Sequence, residues 1–418
     1  MTDFKGLELA EPILKAISGE GYTSATPIQA QAIPPLMQGR DLLGIAQTGT
    51  GKTAAFALPL LHRLLQNPGP RQRGQARALI LAPTRELASQ IADSLRRYGR
   101  LAPLRAAVVF GGSPKRAQIR TLNQGVDVLV ATPGRLLDLM KLGHLHLNAV
   151  EIFVLDEADR MLDMGFIPDV KKIAAALPRQ RQTVMFSATM PKSIQGLADG
   201  LLRNPVRIDA APASTTVEKV TQQVYFVHKD KKQALLAEML KDAAIKRVLV
   251  FTRTRRGAER LSNYLDNCGI RTDAIHGEKE QSERQFALSG FRSGHVRALV
   301  ATDVAARGID VSGVTHVINF DVPTDSESYV HRIGRTARAG ATGIAISFCD
   351  RDERKYLRTI ERETKQNMSV IADQPFHAAD VAKGPGDTKR RPQSKKKPAR
   401  HYRAAAKPGG RAKKGRAA

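Results

Sequence analysis

The chain has 418 residues, a length that predicts two or three domains rather than one. Lys and Arg outnumber Asp and Glu by 66 to 40, and the net charge of +26 favours a polyanionic partner, either nucleic acid or an acidic membrane surface. No apolar run approaches the ~20 residues that cross a bilayer, no signal peptide is recognisable, and two cysteines exclude a disulfide framework, so we expect a cytoplasmic protein without a membrane partner.

Short apolar segments that favour β-strands recur between amphipathic segments along the chain. In the first half they occupy residues 42–46, 78–81, 106–110, 128–131, 152–155 and 184–186. In the second half they occupy residues 224–227, 248–251, 298–301, 317–320 and 344–348. Strands of this kind alternating with helices predict an α/β fold with parallel sheets covered on both faces.

The composition also predicts where the domains end. The small, polar stretch RIDAAPASTTV separates the two sets of strands, so we predict domains at 1–207 and 219–375 with a linker at 208–218. Residues 376–418 carry 14 Lys and Arg against two Asp and hold little apolar material. This segment cannot bury enough surface to fold alone, and we predict a disordered basic tail.

Residues 46–53 read AQTGTGKT and follow the first predicted strand. Gly49 and Gly51 let backbone N–H groups approach phosphate oxygens, Lys52 can reach the β and γ phosphates, and the Thr53 hydroxyl can bind Mg²⁺. We predict a helix from residue 54 whose N-terminus faces the anion. The strict phosphate-loop pattern has Gly where this chain has Ala46, and the alternative is a glycine-rich turn that binds nothing.

Residues 151–159 read EIFVLDEAD and place acidic side chains directly after a predicted buried strand. A phosphate loop needs a carboxylate at a second strand end to hold Mg²⁺, a role that suits Asp156. Glu157 would then orient or activate the attacking water. The alternative is a capped strand end with solvated carboxylates, which explains one acid better than two.

Ten motifs in a fixed order carry a family resemblance. They are Phe4 with GYTSATPIQ (21–29), AQTGTGKT (46–53), PTREL (83–87), GG (111–112), TPGR (132–135), DEAD (156–159), SAT (187–189), VFTRT (250–254), ATDVAARGID (301–310) and HRIGRTARAG (331–340). Over residues 1–365 the chain resembles the DEAD-box RNA helicases of superfamily two, and within them a bacterial RhlE-like member. The family often has Gly where this chain has Ala337, and we expect little effect because Ala is nearly as small.

The resemblance implies two RecA-like domains with ATP in the cleft between them. Gln29 would read the adenine edge with support from Thr26, and Phe4 and Tyr22 would pack near the ring, although both aromatics could instead be ordinary core residues. Asp310 would contact the ribose. The implied nucleotide-binding residues are Phe4, Tyr22, Thr26, Gln29, Ala46, Gln47, Thr48, Gly49, Thr50, Gly51, Lys52, Thr53 and Asp310.

The resemblance also implies catalytic and coupling groups. Arg335 and Arg338 would lie on one helix face and reach the γ-phosphate, where such arginines accelerate the reaction by roughly 10³–10⁵. Taken alone, Arg332 is more typical of a solvated helix face. The implied catalytic residues are Lys52, Asp156, Glu157, Arg335 and Arg338, and the implied coupling residues are Ser187, Thr189, Asp159 and His331.

The resemblance also implies an RNA-binding groove across both domains. Its hydroxyls, amides and guanidinium groups suit phosphate and 2′-OH contacts, and no aromatic signature for reading bases is present. The implied residues are Pro83, Thr84, Arg85, Gly111, Gly112, Thr132, Pro133, Gly134, Arg135, Arg253, Gly277, Gln281, Arg284 and Thr302.

The combined expectation is an ATP- and Mg²⁺-dependent enzyme that unwinds short RNA duplexes locally and without sequence specificity. Its partners would be single-stranded and short duplex RNA, and ribosomal precursors or the RNA-decay machinery stay open as physiological partners. A DNA-directed helicase is one rival, disfavoured by Gln29, Phe4 and the DEAD sequence. The other rival is a non-enzymatic RNA chaperone acting through its tail, disfavoured by the intact catalytic set.

Overall fold

The computed structural model of the chain describes residues 3–46, 49–209, 220–303, 311, 313–337 and 342–383. The first domain holds a parallel sheet in the order β3-β4-β2-β5-β6-β1-β7. Its strands are β1 (Leu42–Ile45), β2 (Ala78–Leu81), β3 (Ala106–Val109), β4 (Val128–Ala131), β5 (Ile152–Leu155), β6 (Gln182–Ser187) and β7 (Val206–Asp209).

Helices cover both faces of this sheet, which explains why its central strands are apolar throughout rather than alternating. A 3₁₀ turn at Phe4–Leu7 precedes them. The helices are α1 (Glu11–Ser18), α2 (Pro27–Met37), α3 (Lys52–Gln66), α4 (Arg85–Tyr98), α5 (Lys115–Asn123), α6 (Pro133–Lys141), α7 (Ala158–Asp163), α8 (Ile167–Ala175) and α9 (Lys192–Leu201).

The second domain repeats this topology with the order β10-β11-β9-β12-β13-β8-β14. Its strands are β8 (Val220–Phe226), β9 (Val248–Phe251), β10 (Thr272–Ile275), β11 (Ala298–Ala301), β12 (His316–Asn319), β13 (Gly343–Cys349) and β14 (Ser369–Val370). Its described helices, after a 3₁₀ turn at Lys229–Lys231, are α10 (Lys232–Met239), α11 (Arg255–Asn267), α12 (Gln281–Ser293), α13 (Ser326–Ile333), α14 (Arg354–Thr364) and α15 (Ala379–Lys383).

This strand order sorts the motifs along the carboxyl edge of the first sheet. The ends of β1, β5 and β6 are neighbours and carry the phosphate loop, the DEAD sequence and SAT, respectively. The ends of β2, β3 and β4 are neighbours farther along the same edge and carry PTREL, GG and TPGR. Since ligands of such sheets bind at the carboxyl ends of strands, the fold separates the motifs predicted to bind nucleotide from those predicted to bind RNA.

Two domain boundaries from the sequence need correction. Ile208 and Asp209, predicted as linker, belong to β7, which pairs with β1 at the edge of the first sheet. Its alternating charged residues made this short edge strand read as a polar connection. Residues 210–219, the rest of the predicted linker and its last neighbour, lie outside the described residues.

The predicted tail also begins too early. Residues 376–383 pack on the second domain: Ala378 and Val381 are buried, and Val227 forms a β-bridge with His377. Residues 384–418 of the predicted tail lie outside the described residues. None of the described helices is long and apolar enough to span a bilayer.

Candidate nucleotide and RNA sites

The loop after β1 is built as an anion-binding turn. Gly51 has a φ of 96°, a left-handed conformation that favours glycine, and it caps α3, which begins at Lys52 rather than at the predicted residue 54. The Lys52 ammonium nitrogen is buried and makes no hydrogen bond within the described residues. An orphaned buried cation at a helix N-terminus fits a phosphate.

Gln29 lies against this loop. Its Oε1 accepts a hydrogen bond from the Thr26 N–H at 2.9 Å, and its Nε2 donates to the Gly51 carbonyl at 3.2 Å. A Cβ atom on Gly51 would lie 2.5 Å from Gln29 Nε2, so only glycine permits this approach. The predicted adenine reader therefore contacts the phosphate loop directly.

Phe4 and Tyr22 pack beside this region, with their ring centroids 5.9 Å apart in an edge arrangement. Tyr22 also shares a hydrogen bond of 2.8 Å with the Tyr98 hydroxyl. Phe4 is buried in the core of the first domain and Tyr22 is half-buried. Both side chains thus have a packing role, and contact with adenine stays a prediction.

Asp156 and Glu157 follow β5 and are both buried. Burial raises the pKa of Asp156 to about 6, because Lys52 offsets only part of the effect and Glu157 adds to it. A nearby cation would favour the ionised carboxylate. The Asp156 carboxylate and the Thr53 hydroxyl are hard oxygen donors of the type that Mg²⁺ prefers, so the residues fit this ion.

Glu157 has different surroundings. Its φ of 54° is a left-handed conformation, which costs a non-glycine residue about 1–3 kcal/mol and is typical of functional sites. Burial acts to raise the pKa of Glu157, but the cations Arg160, Lys52 and Arg335 outweigh burial and lower it to about 2. Arg335 comes from the second domain, so both domains contribute to this acidic site.

The predicted coupling residues of the first domain form one hydrogen-bonded cluster. Asp159 Oδ2 accepts from the Thr189 N–H at 2.8 Å and from the Thr189 hydroxyl at 3.1 Å. The Ser187 hydroxyl accepts from the Asp159 N–H at 3.2 Å and donates to the Thr189 carbonyl at 2.7 Å. This cluster joins the end of β6 to the DEAD sequence.

Two expectations about HRIGRTAR are wrong. The helix α13 ends at Ile333, so Arg335 lies in the turn after it and not on a helix face; Arg338 lies outside the described residues. Arg332 is buried and forms an ion pair with Asp303 at 2.6 Å instead of facing solvent. Ala337 has a φ of 53°, where a non-glycine residue is strained by roughly 1–2 kcal/mol, so backbone conformation matters here besides size, and the small effect of this alanine stays a prediction.

The predicted RNA residues lie at matching strand ends in the two domains, after β2, β3 and β4 and after β9, β10 and β11. Arg85 lies over the turn at Gly112, where a Cβ atom would come within 2.1 Å of its guanidinium. Arg135 donates to the Ser113 carbonyl at 3.3 Å. The N-termini of α4 and α6 face the same edge and add backbone donors for an anion.

Gln281 and Arg284 were predicted to bind RNA, and the structure also places them at a contact between the two domains. Both are buried and contact Glu86 of the first domain: Gln281 Nε2 donates to Glu86 Oε1 at 3.2 Å, and Arg284 lies 2.9 Å from the same oxygen. Sequence reasoning missed Glu86. Its position inside PTREL, next to Arg85, was the available signal.

Arg253 is also held by protein groups. Its guanidinium donates to Glu353 Oε1 at 3.0 Å and to the Val322 carbonyl at 3.1 Å, although half of the side chain stays exposed. Glu353 is buried and binds Lys232 at 2.5 Å. Neither Glu353 nor Lys232 lies in a predicted motif. Of the other predicted residues, Gln47, Thr48, Asp310 and Arg338 lie outside the described residues.

Two similar parallel-sheet domains, one anion loop and an acidic pair approached by an arginine from the other domain define a two-domain ATPase. The DEAD/DEAH box helicase family matches residues 26–197, and the helicase conserved C-terminal domain matches residues 230–340.

Named relatives agree with this class. ATP-dependent RNA helicase CshA of Listeria monocytogenes is 45% identical over 371 residues, which cover 89% of this chain and 70% of CshA. DEAD-box ATP-dependent RNA helicase RhpA of Helicobacter pylori is 40% identical over 386 residues, or 92% of this chain and 77% of RhpA. In structure, the chain is similar to S. cerevisiae Dbp5 bound to RNA and ADP BeF3, with a TM-score of 0.80 and 32% identity over 89% of this chain and 96% of that chain.

The chain belongs to the DEAD-box ATP-dependent RNA helicases. It is an RNA helicase that uses ATP, and RNA is its partner. The relatives are named CshA and RhpA, so the RhlE-like subgroup stays a prediction.

Proposed function

We propose that this chain couples RNA-stimulated ATP hydrolysis to local, non-processive separation of short RNA duplexes or to remodelling of RNA–protein complexes. The observation that carries the proposal is the contact between the domains, where Gln281 and Arg284 of the second domain bind the buried Glu86 of the first; the charge of Arg335 also helps to lower the pKa of Glu157. A site completed by both domains is active only when they close, so a ligand that favours closure controls hydrolysis.

Lys52 binds the β and γ phosphates; the support is its buried ammonium nitrogen, which has no hydrogen-bond partner among the described residues. Thr53 and Asp156 would hold Mg²⁺, which when bound neutralises charge on the phosphates. Glu157 orients the attacking water, and its low pKa keeps the carboxylate ionised at neutral pH. Arg335, together with Arg338, stabilises the charge that develops on the γ-phosphate.

Asp159, Ser187 and Thr189 connect this chemistry to the domain arrangement. Their hydrogen bonds join the DEAD sequence to the end of β6, so a shift at the phosphates changes this cluster. We propose that His331 completes the connection from the second domain. Gln29 would select adenine, with Phe4, Tyr22, Thr26 and Asp310 in supporting roles.

The RNA groove binds the sugar–phosphate backbone and ignores base identity. Support comes from the chemistry of its residues, which are glycines, threonines, arginines and backbone amides rather than base-stacking aromatics. Closure that bends one strand in this groove would expel its partner over a short length. No translocation along the duplex is required.

We also propose that the chain works in the cytoplasm on ribosomal precursors or with the RNA-decay machinery. The named relatives are bacterial RNA helicases, and bacterial RNA is made and degraded in the cytoplasm.

Strand displacement tests the proposal. We expect ATP-dependent separation of an RNA duplex whose yield falls steeply with duplex length, and little separation of a matching DNA duplex. Glu157→Gln should bind ATP and RNA yet lose turnover, whereas Glu11→Gln, which changes an exposed carboxylate on α1, should behave as wild type. Separation that is independent of duplex length, or wild-type turnover by Glu157→Gln, would contradict the proposal.

A further inference from the structure

Arg160 directly follows the DEAD sequence, outside the motif residues that carry the proposed function. It lies on α7, three residues after Glu157, and its Nη1 donates to Glu157 Oε2. Both side chains are 7% exposed, so water screens this ion pair very little.

We infer that Arg160 positions the Glu157 carboxylate for its work on the attacking water. This inference rests on the proposed role of Glu157. Arg160 touches neither ATP nor RNA in this account and acts through Glu157 alone.

Hydrogen bonds hold Glu157 at both its backbone and its side chain. The Asp156 Oδ1 atom accepts the Glu157 N–H at 3.0 Å, and Arg160 binds one of the two Glu157 oxygens, so backbone and side chain are both held. Oε1 makes no hydrogen bond within the described residues. One oxygen is thus fixed by the protein while the other can accept a hydrogen bond from a water molecule.

Three cations influence the charge of Glu157, and they differ in where they are expected to lie when ATP is bound. Lys52, Arg160 and Arg335 all act on its charge. In the proposed mechanism Lys52 and Arg335 turn to the phosphates, which carry more negative charge than one carboxylate. Arg160 lies in the first turn of α7, for which Glu157 is the N-cap residue, so it is the cation that stays with Glu157 when ATP is bound.

The buried Arg160–Glu157 ion pair is not well explained by a contribution to the stability of the fold. Desolvation of two buried ions cancels much of their attraction, so apolar residues of similar volume often give equal or greater stability. A buried Arg–Glu pair is therefore a poor device for stabilising α7. Its value lies in fixing the direction of a carboxylate that has to stay ionised.

The test compares Arg160→Gln and Arg160→Lys with wild type in ATP hydrolysis at saturating RNA. We expect Arg160→Gln to lower kcat by about 10- to 100-fold, the range for a small misplacement of a catalytic group, with KM for ATP and the affinity for RNA nearly unchanged. Arg160→Lys keeps the charge without the planar fork and should restore part of kcat. It also keeps the test open if Arg160→Gln fails to fold.

Arg77→Gln is a matched control. Arg77 is another buried arginine of the first domain, paired with Glu151 at 2.7 Å at the amino edge of the sheet, away from the nucleotide region. Although Glu151 is half exposed, Arg77 is buried and also donates to the Leu64 and Asn67 carbonyls, so the variant should lower the thermal unfolding midpoint but leave kcat alone. A loss of kcat by Arg77→Gln equal to that of Arg160→Gln would overturn the inference, because the effect would then be general destabilisation.

A double-mutant cycle separates this inference from the proposed function. In a Glu157→Gln background, Arg160→Gln should lower the residual kcat no further, since both changes act through one carboxylate. An undiminished further loss in that background would overturn the inference. Wild-type kcat in Arg160→Gln alone would also overturn it while leaving the role of Glu157 intact; wild-type kcat in Glu157→Gln would remove both.

Discussion

Gln29 illustrates how much a single side chain can do at this site. Its amide oxygen and nitrogen are both engaged, by the Thr26 N–H and the Gly51 carbonyl. Its amide nitrogen keeps a second N–H and its oxygen a second lone pair, so Gln29 would be able to bind the adenine edge while it holds these bonds. In that arrangement, recognition of the base and the conformation of the phosphate loop would be linked through one residue.

Gln29→Ala should reduce the preference for ATP over GTP by roughly tenfold, the value of one or two lost hydrogen bonds. The measurement is kcat/KM for both nucleotides at saturating RNA. Gln31→Ala, an exposed position on the same helix, serves as the control. An unchanged preference in Gln29→Ala would show that the adenine is read elsewhere.

Local chemistry that is contiguous in sequence could be predicted, and contacts between distant residues could not. The phosphate loop and the DEAD sequence were recognisable because their residue types and spacing follow from phosphate and metal chemistry. Burial of Arg332 depends on Asp303 and Asn319, which no spacing rule connects to it. The strain at Ala337 depends on a backbone angle that residue size does not reveal.

Among the elements, helices α4 and α12 form a direct contact between the domains. Glu86 near the start of α4 receives Gln281 and Arg284 from the start of α12. The neighbouring Arg85 lies over the turn at Gly112 on the predicted RNA groove. The contact between the domains thus lies beside the predicted RNA groove.

Glu86→Gln should raise the RNA concentration for half-maximal ATPase by about tenfold or more, because it leaves the buried Arg284 without its ionic partner in the closed arrangement. The measurement is an RNA titration of ATP hydrolysis. Asp93→Asn is the control, since its partner Arg96 on the same helix is exposed. If both variants titrate like wild type, this contact does not contribute to closure.

The strands that the sequence missed are edge strands. The missed strands β7, β10 and β14 lie at sheet edges, and β14 has only two residues. Central strands such as β5 are apolar on both faces and were predicted at their observed bounds. An edge strand exposes one side to water, which removes the apolar run on which the prediction depends.

At the scale of the whole molecule, the two domains share a topology, but among the described residues only the first domain has an anion loop. Lys232 is the first residue of α10, as Lys52 is of α3. Its ammonium group is bound by Glu353 at 2.5 Å and Asp350 at 3.2 Å, whereas the Lys52 ammonium has no such partner among the described residues. This difference explains why one nucleotide site per chain is expected.

The basic tail can be tested by deletion. Because residues 376–383 pack on the second domain, the deletion should begin at residue 384. Residues 384–418 carry 13 Lys and Arg against one Asp. Deleting them should weaken RNA binding at low salt and flatten its salt dependence, since each phosphate neutralised on a single strand contributes about −0.7 to the slope. The ATPase rate at saturating RNA should be unchanged. An unchanged salt slope would mean that the tail does not bind RNA.

A longer deletion provides a comparison for the removal of residues 384–418. Removing residues 376–418 instead also strips the buried Ala378 and Val381 from the second domain. We expect this longer deletion to lower thermal stability as well. RNA binding measured on the longer deletion alone would not distinguish the loss of RNA contacts made by the tail from the destabilisation of the second domain.

The central claim is that ATP and RNA favour the same closed arrangement of the two domains. RNA affinity should be measured with and without a non-hydrolysable ATP analogue, and analogue affinity with and without RNA. The account predicts that each ligand strengthens the other by the same factor, roughly 5- to 150-fold for a coupling free energy of 1–3 kcal/mol. RNA affinity that does not respond to the analogue would contradict it.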